Sequence, residues 1–272
     1  MTTGSLAYTY AVARDTSTLA QTADAITGVA GSPVHLVRPT RGAALVAFVS
    51  PVPEADFHET ALRQHLEDLG WLEALARAHH GVIEALAART TVLPLRLATV
   101  YLDEERVRAM LDDRQAVFVD RLERLDGQVE WGVKLYVDVA PDTAPPAAPS
   151  PDPSLGPGRA YLRHRHAEQD SRDDAHRAAE RAAERAAERI EATARAYAVE
   201  WVRHRLQEGE LATGPGVNVS NDAYLVPVAR ADAFRAEIMR STEGLTGVRV
   251  DVTGPWAPYS FAALPDPAES AP

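Results

Sequence analysis

The sequence predicts an α+β protein in two domains. Three observations carry that prediction: strand-like alternation over residues 128–138, helical spacing of apolar residues over 54–89 and again over 159–208, and one sharp break in composition between them. Residues 140–158, APDTAPPAAPSPDPSLGPG, are almost all Pro, Ala, Gly, Ser and Asp, a mixture that cannot bury a core. The expected division is an N-terminal α+β domain at 1–139, a Pro/Ala-rich linker at 140–158, and a C-terminal α+β domain at 159–272 with a long helix and an aromatic tail.

In the N-terminal half, Leu6, Tyr8, Tyr10 and Val12 alternate with small residues, the period of a strand. A Gly-containing connection leads to Pro33 and a short strand at 34–38. Residues 43–50 are almost wholly apolar and read as a central strand, ended by Pro51 and Pro53. Leu62, Leu66, Leu69, Leu72, Leu75, His79, Ile83 and Leu86 then recur every three or four residues, as on one helix face. Gly70 and Gly81 weaken this stretch, and two helices are expected to meet near Asp68. Residues 91–99 form a short apolar segment around Pro94, and 103–113 and 115–125 read as two further helices. In 128–138, Val129, Trp131, Val133, Leu135 and Val137 face one way and Gln128, Glu130, Lys134, Tyr136 and Asp138 the other, which predicts a half-buried antiparallel strand.

The C-terminal half opens on the long helical stretch. It contains the tandem tetrad AAER-AAER-AAER at 178–189, built from strong helix formers. A four-residue repeat drifts against the 3.6-residue turn, so its Ala stripe winds slowly around the helix. That stripe is either a packing face within the protein or a contact for a partner helix. Some 50 residues of unbroken helix would span about 75 Å, so the helix is expected to bend, to break near Asp170 and Ser171, or to project. Residues 217–228, 231–240 and 246–253 read strand, helix, strand. The tail TGPWAPYSF, 253–261, places Trp256, Tyr259 and Phe261 on a backbone stiffened by Pro255 and Pro258. Termini fray unless tied down, so these aromatics either cap the protein's own core or meet a partner.

Composition bounds the function. The chain has 272 residues, a net charge of −11, a pI near 5.3 and no cysteine. The acidic balance argues against nucleic acid and anionic membranes as partners. Without cysteine there is no disulfide, thiol nucleophile or thiolate metal site, and a cytosolic protein fits. Residues 1–20 include Arg14 and Asp15 and no long apolar stretch, so no signal peptide is expected, and no run reaches the roughly 18 apolar residues of a membrane span. Phosphate-loop, dinucleotide, zincin and serine-hydrolase signatures are absent. His79, on the apolar stripe, reads as a packed core histidine, and adjacent His80 must face elsewhere. His164 and His166 lie about 200° apart on a helix, which disfavours a metal site with Asp170, Asp173, Asp174 and His176. Arg96, inside an apolar run, calls for a buried carboxylate partner; Glu130 is the first candidate, with Glu67 and Asp68 as others. No catalytic residue, cofactor or metal site is expected. An enzyme built on Arg96 and nearby carboxylates remains the weakest reading, for want of a nucleophile and base.

Five segments, in order, resemble one family: DLGWLEALARAHH (68–80), VLPLRLATVY (92–101), EWGVKLYVD (130–138), GRAYLRHR (158–165), and NDAYLV with TGPWAPYSF (221–226 and 253–261). Together they resemble the gas vesicle protein F/L (GvpF/GvpL) family from about residue 8 to 261. The chain departs from the family pattern at Ala257, where Pro is usual, and at Leu97-Ala98, where Phe-Gly is usual. The resemblance implies a ferredoxin-like N-terminal domain with an antiparallel sheet, and a C-terminal α+β domain with long helices. It also implies an accessory or minor structural protein of gas vesicles, the gas-filled shells that give buoyancy, located in the cytoplasm or on the vesicle. The implied partners are gas vesicle shell protein A and other gas vesicle accessory proteins. Three surfaces are candidates for holding the shell protein: the tail aromatics Trp256, Tyr259 and Phe261, the Ala stripe, or an exposed sheet edge. The alternative is a permanent minor component of the vesicle wall, on its gas side.

Overall fold

The computed structural model describes residues 4–42, 44–138, 157–206 and 216–263. The chain forms two compact units, one comprising Met1–Glu130 with Pro255–Pro272, the other Trp131–Gly254.

The first unit is built on strands β1 (Ser5–Arg14), β2 (His35–Val37), β3 (Leu45–Pro53) and β4 (Val92–Pro94), in the order β2-β3-β1-β4. Helix α1 (Leu19–Asp24) lies between β1 and β2 in sequence, and α2 (Glu54–Phe57), α3 (Glu59–His65) and α4 (Leu69–Ala87) lie between β3 and β4. The pairings β1–β3, β1–β4 and β2–β3 are all antiparallel. This is the connectivity and strand order of a ferredoxin-like sheet. A short strand, β5 (Val100–Tyr101), adds to β1 beyond β4. Helices α5 (Glu104–Asp113) and α6 (Gln115–Leu125) follow. The caps are legible: Asp68 accepts the Gly70 and Trp71 N–H groups at the start of α4, and Asp103 accepts that of Arg106 at the start of α5. The expected junction near Asp68 is therefore real, while Gly81 lies within the continuous α4.

Strand β1 is buried from Leu6 to Ala13 on both faces. Helix α4 packs against it, and so do α5 and α6. A β-bulge between Thr9 and Ala11 shifts its register against β3. The simple alternation read from the sequence thus breaks at Tyr10. Leu6, Tyr8, Tyr10, Ala11 and Ala13 join one core cluster with Leu75, Ile83 and Leu86 of α4, and Val12 is not among them.

The second unit repeats the connectivity of the first. It consists of β6 (Gln128–Val137), α7 (Pro157–Tyr197), β7 (Glu200–Arg203), β8 (Val217–Pro227), α8 (Ala231–Arg240) and β9 (Val248–Trp256), with strand order β7-β8-β6-β9. Both units are therefore strand–helix–strand–strand–helix–strand, with the first strand central. In each, a Pro-Val pair marks the end region of the third strand, Pro51-Val52 just before the close of β3 at Pro53 and Pro227-Val228 across the end of β8, ahead of a helix that buries a Phe, Phe57 or Phe234.

Two boundaries differ from the sequence reading. Strand β6 belongs to the second sheet, flanked by β8 and β9, so the units part at Glu130 and the tail returns to the first unit. Most of the expected linker, 140–156, lies outside the described residues. Helix α7 ends at Tyr197 rather than near residue 208, because the alternating Glu200-Trp201-Val202-Arg203 pairs with β8 as a strand. It does not break at Asp170 and Ser171. Residues 161–178 are exposed or half-buried, whereas Ala179, Ala182, Ala183, Ala186, Ile190 and Ala194 are buried. The Ala stripe is a packing face: α7 contacts α8 and β8. The approach is close enough that a Cβ on Gly247 would fall 2.9 Å from the Ala179 Cβ. Arg189 clamps the contact by donating to the Ser241 and Glu243 carbonyls beyond α8.

Candidate functional site

The tail is held in place residue by residue. Gly254, at φ +133°, supplies a backbone geometry that side chains rarely adopt. After Trp256 the chain forms a single 3-10 turn, Tyr259–Phe261. The Glu130 carboxylate takes both groups of Ser260: the N–H at 2.8 Å and the hydroxyl at 2.6 Å. Charge-assisted bonds of this kind are the stronger class, and they tie the turn to the start of β6. Phe261 is buried, and Ala257 and Tyr259 pack against the core cluster of the first unit.

His80 of α4 completes the arrangement. Its Nδ1 lies 3.2 Å from the Tyr259 hydroxyl, the two rings are near-parallel at 6.0 Å, and Trp256 meets the imidazole edge-on at 5.5 Å. Burial pushes the Tyr259 pKa up, with the Glu130 and Glu84 charges adding to the effect, so the phenol stays protonated. The outcome is graded. Phe261 is an anchor, Tyr259 is half-buried, and Trp256 remains 39% exposed on a braced segment. Such a surface offers an immobilised aromatic to a partner at little entropic cost.

The neighbouring His79 faces the other way, into the core. Its Nδ1 is 3.0 Å from the Tyr8 hydroxyl, which also accepts the Ala98 N–H. Burial lowers its pKa to about 4, with His80 contributing in the same direction and the Leu95 carbonyl opposing. The ring is neutral at pH 7 and shares one hydrogen bond with the Tyr8 hydroxyl. This is the packed histidine the helical spacing indicates.

Arg96 is not where the sequence reading puts it. It is exposed, because β4 stops at Pro94 and the chain turns out of the sheet: the Thr99 N–H and hydroxyl both bond the Arg96 carbonyl, and Ala98 takes φ +62°. Glu130 is buried, with Ser260 among its partners. The expected buried Arg96–Glu130 pair is not formed. On α7, His164 and His176 pair with Glu168 and Glu180 one turn on, and no group of three or more potential metal ligands occurs among the described residues. The Glu130–Ser260 clamp and the role of His80 escaped the sequence reading. Their only trace was the position of Glu130 and His80 on the polar sides of their elements.

The family model described as "Gas vesicle synthesis protein GvpL/GvpF" matches residues 6–263. The chain belongs to the GvpL/GvpF family. Gas vesicle protein L of Streptomyces sp. (strain CB03234) is 42% identical over 264 residues, covering 97% of this chain and 95% of that protein. Gas vesicle protein F of the same strain is 36% identical over 107 residues, 39% of this chain and 40% of that protein. The fold matches crystal structures of GvpF from Anabaena sp. PCC7120 (TM-score 0.62, 18% identity, covering 96% of this chain and 97% of that one) and from Microcystis aeruginosa (TM-score 0.61, 17% identity, 95% and 99%). GvpL/GvpF membership makes this a gas vesicle protein. No helix among the described residues is long and apolar enough to cross a membrane.

Proposed function

We propose that this chain is a non-catalytic accessory protein of gas vesicle assembly, which binds the hydrophobic shell protein A and keeps it soluble until it joins the growing vesicle. The reading places it in the cytoplasm and at the vesicle, working beside other accessory proteins. The observation that carries it is Trp256, partly exposed and braced by His80 on a tail anchored through Phe261 and the Glu130–Ser260 clamp. A shell subunit with a gas-facing surface exposes apolar area that aggregates when free, and aromatics are the usual anchors of protein interfaces. The net charge of −11 would keep a complex with such a subunit dispersed.

The test is co-expression of shell protein with the wild-type chain and with Trp256→Ala, followed by affinity capture. The reading predicts that the wild type retains shell protein and that Trp256→Ala, still folded, captures at least about fivefold less, as for loss of an interface anchor. Equal capture by the variant would move the shell contact off the tail. Absence of capture by the wild type, with the chain instead retained in washed, intact vesicles, would replace this reading with that of a wall component.

A further inference from the structure

The second unit contains a pocket of about 360 Å³ between the last turns of α7 and the β7–β8 edge, near the low end of ligand-site volumes. Its floor is apolar: Ile190 and Ala194 of α7, with Tyr224 of β8, all buried. Strand β7 is the outermost strand of its sheet and only four residues long. In the β7–β8 register Trp201 opposes Tyr224 and Arg203 opposes Asp222, so these four side chains share the face that lines the pocket. Trp201 is 55% exposed, and Val199 beside it 59%. Large apolar groups thus continue from the pocket onto the surface.

The rim is charged. Glu188, Glu191, Glu200 and Asp222 line it together with Arg195 and Arg203. Both guanidiniums are engaged, Arg195 with Glu191 and Arg203 with Asp222 at 3.0 Å, where it also lies over the Trp201 ring. Glu188 is exposed, and it has no ion-pair partner among the described residues. Glu188 asks for a cation, and the apolar floor with the exposed indole beside it asks for an apolar stem or neighbour to that cation.

The geometry points to a docking site for a lysine- or arginine-bearing, apolar-flanked segment of a partner protein, its cation at Glu188 and its apolar residues along Ile190, Ala194 and Trp201. A peptide fits better than a small amine, because Val199 and Trp201 extend the apolar surface past the pocket mouth. The site is separate from the tail aromatics, and the inference does not depend on the shell-protein reading.

The test uses the full chain, titrated by calorimetry with a seven-residue peptide of alternating leucine and lysine flanked by glycine. Comparison ligands are the glutamate-for-lysine peptide, the serine-for-leucine peptide and lysine amide. The leucine–lysine peptide should bind at least about tenfold more tightly than any of the three, since charge and apolar area must act together. Glu188→Lys and Trp201→Ala should each weaken it by at least about fivefold, while Glu105→Lys, the same charge change on exposed α5, should stay within about twofold. Circular dichroism confirms that the variants fold, and Glu188→Gln provides a milder change at the same position. Equal losses for Glu188→Lys and Glu105→Lys would reduce the effect to net charge and overturn the site. Binding of lysine amide as tight as that of the peptide would overturn the peptide ligand, and absence of leucine–lysine peptide binding would overturn both.

Discussion

His79 and His80 stand side by side on α4 and meet unlike surroundings: the first is buried with Tyr8, the second braces the tail. Helical geometry sets adjacent residues about 100° apart, so one faced the core once the Leu stripe was read. What His80 touches depended on a segment 179 residues away and could not be read locally. The buried ring carries a pH signature. Its folded pKa, about 4, lies below the ordinary 6.5, so the unfolded chain binds the proton more readily. Its contribution to stability is complete above about pH 6.5 and is lost as pH falls through 4, a total on the order of 3 kcal/mol. Denaturant titrations across that range should show a shallower pH dependence for His79→Gln than for the wild type; parallel curves would contradict this. In the tail, Phe261→Ala should cost about 3–5 kcal/mol, the range for a buried Phe, and Trp256→Ala, partly exposed, less than about 1.5 kcal/mol. Chemical denaturation of both variants measures the difference. Arg96 shows where residue-level reading fails. An apolar run suggested burial, but the run is two short strands joined by an outward turn at Ala98, where the family pattern has Gly. That departure was the available signal, since φ +62° is a geometry Gly adopts without strain.

At the scale of elements, α7 was legible in composition and only partly in extent. The AAER tetrads marked a helix and an Ala face, and the buried set Ala179, Ala182, Ala183, Ala186, Ile190 and Ala194 is that face. Its end was misplaced because residues 200–203 are short and charged at both ends, and their strand character comes from pairing with β8. The face can be tested by two neighbouring substitutions. Ala186→Glu should lower stability by at least about 3 kcal/mol, because it buries an unpaired charge and overfills a close contact, while Ala187→Glu, on the exposed side, should stay within about 0.5 kcal/mol. Thermal melts followed by circular dichroism would separate them, and similar melts would show that α7 does not pack as described. The tail behaves as an element in its own right. Glu130→Ala removes both acceptors of Ser260 and should cost about 1.5–3 kcal/mol. Much of that loss should be local, read as faster amide exchange at Tyr259–Phe261 ahead of the sheet. Uniform acceleration across the first unit would instead make Glu130 a determinant of the whole sheet.

At the scale of the molecule, strand and helix periodicities were enough to establish an α+β chain, and the family resemblance supplied the ferredoxin-like sheet. The duplication of its connectivity in the second unit was hidden because the equivalent elements differ so much in length: α1 has 6 residues, whereas α7 has 41. The composition break at 140–158 misled the domain boundary for a physical reason. A long insertion between a strand and the next helix costs little, so a Pro-rich stretch can lie within a folding unit as readily as between two. Strand pairing puts β6 in the second unit and returns the chain to the first at Pro255. The central functional claim, that an acidic two-unit scaffold holds the shell subunit in solution, belongs to this scale. It is tested most directly by sedimenting lysates in which shell protein A is expressed with and without the full chain. The account predicts that the shell protein moves from the pellet to the supernatant and travels with this chain at a higher sedimentation coefficient than the chain alone. Shell protein that pellets equally in both, leaving this chain free and unshifted, would contradict it.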